Sequence, residues 1–186
     1  MTHSKTACSL GDTPLIAYTK YMKHPIGTTL NGTPVYVDLI NSAASANISQ
    51  QPHLVTLIKE LLESTNVSGT APTVEYNFGR NIGNTVIVQT TEKDTIIYAK
   101  RLKQETFTRF VRRRVPAPTT YITISLSKDG DGEYALANAW IGRLIPPFPA
   151  DQENEAQQSE AYWAQHALVL EGQPIQLRTV TQVYPY

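Results

Sequence analysis

Cysteine is nearly missing: Cys8 is the one thiol in 186 residues, so no intramolecular disulfide framework can staple this chain. Long apolar runs are missing too, and none approaches the ~20 residues that a membrane-spanning helix needs. The first dozen residues, MTHSKTACSLGD, lack the apolar stretch of a secretory signal, and no hydrophobic segment precedes Cys8 to suit a lipid anchor. The expectation is an intracellular, cytoplasmic protein without membrane association, with Cys8 a free thiol on a loose terminus. Net charge is absent as well, at sixteen Lys and Arg against sixteen Asp and Glu. That balance argues against a protein that coats nucleic acid indiscriminately, but binding responds to the field over one surface and a local patch stays open.

Metal and nucleotide signatures are also lacking. His3, His24, His53 and His166 stand apart, with no HExxH and no CxxC, so no metal is expected. There is no GxxxxGK[ST], GxGxxG or GxSxG, and Gly79-Arg80-Asn81-Ile82-Gly83 reads as a hairpin turn. Asp129 and Asp131 lack the later oxygen ligands of a calcium loop. No cofactor is expected.

What is present suffices for one ordinary domain: 41% hydrophobic and 17% charged residues are far from a disordered composition. Residues 1–30 read as an N-terminal arm with one short element near 15–21, and 31–186 as a single α+β domain. A short strand is predicted over 35–39 and a helix over 52–65, where Pro52 suits the first turn and Leu54, Val55, Ile58, Leu61 and Leu62 form one apolar stripe. Alternating patterns then predict strands over 73–78, 85–90, 95–99 and 119–126. Lys128-Asp129-Gly130-Asp131-Gly132 is a hairpin turn whose return strand runs over 133–141. Pro146-Pro147-Phe148-Pro149 is a stiff exit into an acidic loop at 150–160. Ser159 caps a helix to about Leu170 that carries Trp163, Ala167 and Leu170 on one face, and 175–184 adds an edge strand. The fold class is α+β: an antiparallel sheet of about five or six strands with two or three packed helices.

The densest clue is KRLKQETFTRFVRRR at 100–114, which holds seven of the sixteen cations and one acid, Glu105. Read as a helix, it places Leu102, Phe107, Phe110 and Val111 on one side. Arg101, Arg109, Arg112 and Arg113 then fall in a sector of roughly 120° on the other. Four guanidinium forks on one face suit phosphate oxygens. The same face could equally be a solvated surface, a strip for the chain's own Asp151, Glu153, Glu155 and Glu160, or a dock for an acidic partner protein. Tyr98 precedes the segment, and Thr119, Tyr121 and Thr123 follow it on a strand partnered by Asn138 and Trp140. If Tyr121, Thr123 and Ser125 face solvent, they make a polar floor beside the arginines, able to stack a base of RNA or hold another polyanion. His166 shares a helical face with Trp163 and Leu170. A small-molecule pocket around Trp140 and Trp163 is a further alternative.

A helix followed by an antiparallel sheet, with arginines and hydroxyl residues between strands over about 50–142, loosely resembles the barnase/RelE-like ribonuclease superfamily in arrangement. The resemblance implies metal-independent RNA cleavage, with Arg101 and Arg109 stabilising a phosphate-centred transition state and Tyr98 or His166 transferring protons. The chain departs from the barnase pattern in having no evident His/Glu pair near the sheet. The stretch 140–149, followed by Tyr162-Trp163-Ala164-Gln165-His166-Ala167-Leu168, also resembles a prokaryotic family for which the resemblance supplies no activity.

Overall fold

A computed structural model describes residues 23–38, 48, 50–149 and 156–185. The element expected near 15–21, the setting of Cys8, and Asp151, Glu153 and Glu155 of the acidic loop lie outside the described residues. The chain divides into two compact units, Met1–Pro72 with Ser125–Asn138, and Thr73–Ile124 with Ala139–Tyr186.

In the first unit, β1 (Lys23–Thr28) and β2 (Pro34–Asp38) pair antiparallel, with a bulge between Pro25 and Gly27. Helix α1 (Pro52–Ser64) follows, with Pro in its first turn. Leu54, Leu57, Ile58, Leu61 and Leu62 are its buried residues, at the three- and four-residue spacing of a single apolar stripe. Leu57 takes the place in that stripe that the sequence suggested for Val55. The hairpin of β9 (Tyr121–Lys128) and β10 (Tyr134–Ile141) contributes its turn end to this unit, and Tyr134 and Ala135 pair parallel with Val35 and Tyr36 of β2.

The second unit contains β3 (Thr73–Asn77) and a two-stranded pair of β4 (Gly83–Thr85) with β8 (Ala117–Thr119). Its four-stranded sheet has the order β5-β11-β7-β6, built from β5 (Ile87–Gln89), β6 (Ile96–Lys100), β7 (Phe107–Val111) and β11 (His166–Val169). Helix α2 (Ala156–Gln165) runs directly into β11. Ile97, Ala99, Phe110, Trp163 and Leu168 form a buried cluster here.

The α+β class holds, with strands dominant, but among the described residues the strands pair into sheets of five, four and two instead of one sheet of five or six. The largest departure is the basic segment, which is not a helix. Lys100 ends β6, 102–103 form a turn, and Phe107–Val111 is β7. Thr108 and Phe110 are buried on one face while Phe107 and Arg109 occupy the other, so a two-residue period prevails in a stretch of β-branched and aromatic residues. Lys103 at φ 63° and Arg113 at φ 59° adopt the left-handed conformation, which interrupts any helix at both ends of the segment. The helix expected from Ser159 to Leu170 stops at Gln165, because Ala167, Leu168 and Val169 are buried as a strand between β5 and β7. The tail makes two isolated bridges, Thr181 to Tyr98 and Ile175 to Arg101, around a 3-10 turn at Leu177–Thr179, in place of the expected edge strand. No helix among the described residues is long and apolar enough to cross a membrane.

Candidate functional site

Antiparallel pairing of β6 with β7 sets Tyr98 directly opposite Arg109 and Lys100 opposite Phe107. Residues directly opposite share a face, so Tyr98, Phe107 and Arg109 stand together. They line a cavity of about 350 Å³, whose other walls include Phe148, Trp163 and Tyr184, with Glu160 also present. Phe148 stacks on Trp163 at 4.2 Å, and Tyr98 meets Tyr184 edge-on at 5.5 Å. The Trp163 indole N–H donates to the carbonyls of Pro146 and Pro147, and Ser159 Oγ also donates to Pro147, so the proline segment is tied to α2. Arg109 is a staple: its Nη1 donates to the His166 carbonyl at 2.8 Å and to Thr90 Oγ1 at 3.1 Å.

A second cavity, also about 350 Å³, is lined by Gln89, Thr119, Tyr121, Arg143, Tyr162 and His166, among others. His166 is the first residue of β11, and its ring stacks on Tyr162 at 4.0 Å and 4°. Its Nδ1 lies 2.9 Å from the Tyr162 carbonyl oxygen. A carbonyl only accepts, so Nδ1 carries the proton of the neutral ring and Nε2 is left as its basic nitrogen. Arg143 lies 4.7 Å over the Tyr121 ring. Its Nη2 is 3.2 Å from Glu75 Oε1, while Glu75 Oε2 accepts the Leu144 N–H at 2.6 Å. The Glu75 hydrogen bond holds the Arg143 guanidinium more firmly protonated than usual. Burial pushes the Tyr162 phenol up, against the pull of Arg143, so it remains a protonated donor near neutrality.

The residues singled out from sequence therefore divide. Tyr98 and Arg109 belong to the aromatic cavity, and Tyr121 and His166 to the polar one. Arg101 is half-buried, its guanidinium 5.1 Å over the Phe148 ring. Arg112 and Arg113 are exposed at the bend after β7, and the Arg113 backbone N–H donates to Glu171. The four arginines do not form one helical face, because strand alternation and a left-handed residue send them different ways. Thr123 is not on a wet floor either: it is fully buried and donates to the Gly142 carbonyl. Trp140 donates its indole N–H to the Arg143 carbonyl and does not line the aromatic cavity.

Sequence reading missed Arg143, Glu75 and Tyr162 as site residues. The available signal was local: an arginine between Gly142 and the proline run, at the end of a strand already paired with that of Tyr121. Glu75 gave none, since it is distant in sequence and looks like any polar position on an alternating strand.

Together these groups can accept a proton at His166 Nε2, donate one from Tyr162, and bind an oxyanion through Arg143, which has five N–H donors. Among the described residues, no three His, Cys, Asp or Glu side chains gather in a way that could hold a metal ion. Compared with known proteins, the chain matches no protein family, no curated protein and no solved structure.

Proposed function

We propose that this protein contacts RNA and cleaves its backbone by side-chain acid–base chemistry in the cavity around His166 and Arg143. The observation that carries the reading is the Nδ1 contact with the Tyr162 carbonyl, which leaves Nε2 basic on a ring that shares its cavity with an arginine. In the proposed step, Nε2 takes the proton of a ribose 2′-hydroxyl as that oxygen bonds to phosphorus. The bond from phosphorus to the 5′-oxygen breaks, and the Tyr162 phenol returns a proton to the departing oxygen. Arg143 binds the non-bridging oxygens, where charge accumulates, and Glu75 keeps it in place. Arg109 acts as a positioning residue, because it holds the carbonyl of the residue that bears the base.

The test is cleavage of a labelled single-stranded RNA in the presence of a chelator. Wild type yields a 2′,3′-cyclic phosphate and a 5′-hydroxyl, and a 2′-deoxy substitution at the cleaved position abolishes the reaction. His166→Ala lowers the rate by about 100-fold or more. Arg143→Ala lowers it by about 100-fold. RNA left intact by wild type, or cleaved as fast by His166→Ala, removes the proposal.

A further inference from the structure

We infer that the aromatic cavity is a base-accepting subsite, so that RNA enters single-stranded with one nucleobase unstacked; this rests on the RNA reading above. Tyr98, Phe107, Phe148, Trp163 and Tyr184 place five rings around one space of about 350 Å³, at the small end of ligand-binding cavities. Phe148 and Trp163 cover one another at 4.2 Å and form one wall, while Tyr98 and Tyr184 meet edge-on at 5.5 Å and line the same space. Arg109 uses Nη1 for the protein, and its remaining N–H groups suit the carbonyl or ring-nitrogen acceptors of a base. Glu160 offers an acceptor for exocyclic amino groups.

The guest is read as a nucleobase, and not as an unrelated flat ring, because of what adjoins it. Tyr162 lines the polar cavity and Trp163, the next residue of α2, lines the aromatic one; their rings stand 5.4 Å apart at 84°. An oxyanion held by Arg143 and a ring held against Trp163 are thus neighbours across one pair of side chains, as a phosphate and a base are within a nucleotide. In A-form duplex the bases are stacked and paired, and neither can reach a closed aromatic wall.

The chain has two tryptophans, so Trp140→Phe leaves the emission of Trp163 as the reporter. In that background, uridine 5′-monophosphate and adenosine 5′-monophosphate quench saturably, whereas ribose 5-phosphate does not. Adding Tyr184→Ala, at a residue 51% exposed and so outside the core, weakens nucleotide binding by about tenfold. Equal quenching by ribose 5-phosphate, or indifference to Tyr184→Ala, overturns the subsite even if RNA is cleaved. Base-dependent quenching in a protein that cleaves nothing supports the subsite and defeats the catalytic reading alone.

Discussion

Gly142 lies between Ile141, the last residue of β10, and Arg143, and its φ of 141° belongs to a region that side-chain-bearing residues rarely enter. Its N–H donates to the Tyr121 carbonyl at 2.8 Å, and its own carbonyl accepts from buried Thr123 at 3.0 Å. The backbone that leads into Arg143 is therefore tied on both sides to the strand carrying Tyr121. A Cβ at this position would stand 3.0 Å from Thr85 Oγ1. Gly142→Ala thus combines backbone strain with a tight contact, at a cost of about 1–3 kcal/mol. Thermal melting should show a clear loss of stability, and RNA cleavage well below the melting temperature should fall by about tenfold, since a small displacement of the arginine is enough. An unchanged melting curve with full activity would show that Gly142 does not set the position of Arg143. Arg143 is correspondingly hard to read from sequence: its placement comes from a backbone conformation and from Glu75, and neither shows in hydrophobic periodicity.

Among the elements, the β9–β10 hairpin shows what local sequence can specify. Asp129 is the hub of the turn: Oδ1 accepts the N–H groups of Asp131 and Glu133, and Oδ2 accepts Lys23 Nζ at 2.7 Å and the Tyr36 hydroxyl at 2.9 Å. Burial opposes ionisation of Asp129, but the bonds from Lys23, Tyr36 and the Glu133 backbone outweigh it and hold the carboxyl at about 2. A depressed carboxyl stabilises the fold above its ordinary value of 3.8, and that contribution is lost as pH falls from there through about 2. At ~1.4 kcal/mol per pH unit it amounts to at most about 2–3 kcal/mol. Asp129→Asn should lower stability at neutral pH and flatten its fall between pH 4 and 2, as read by denaturant titration at several pH values; parallel curves for the two proteins would contradict the assignment. The turn and helix α1 were legible because one period and one set of turn residues pointed the same way. The segment at 100–114 was not, because Leu102, Phe107, Phe110 and Val111 fit a helical stripe while Phe107–Val111 alternates as a strand. Pairing with β6 and β11, which decides between them, lies outside the segment. The same applies to His166: helical spacing from Trp163 to Leu170 concealed a strand that exists because β5 and β7 flank it.

At the scale of the whole molecule, zero net charge is accompanied, among the described residues, by several local ion pairs. Lys23 meets Asp129 and Glu133, Lys100 meets Glu105 at 3.1 Å, Arg114 lies 3.7 Å from Asp94, and Arg143 meets Glu75. Of the seven cations of 100–114, Lys100 and Arg114 thus face acids, and Arg109 spends donors on the protein's own carbonyl. On the proposed reading, this bears on how affinity for RNA responds to salt. Each phosphate neutralised on a single strand contributes about −0.7 to the slope of log K against log salt. Two or three phosphates held near Arg143 and its neighbours give a slope of about −2, whereas seven cations acting together would give about −5. Fluorescence anisotropy of a labelled single-stranded oligonucleotide from ~50 to ~300 mM salt separates the two, since the steeper case loses roughly 200-fold more affinity over that range. The shallow slope is expected, because a site built from stacking and one guanidinium draws its affinity from contacts that salt does not screen. A slope near −5 would mean that the arginines gather on the nucleic acid after all, and the site would then be the strip and not the cavity.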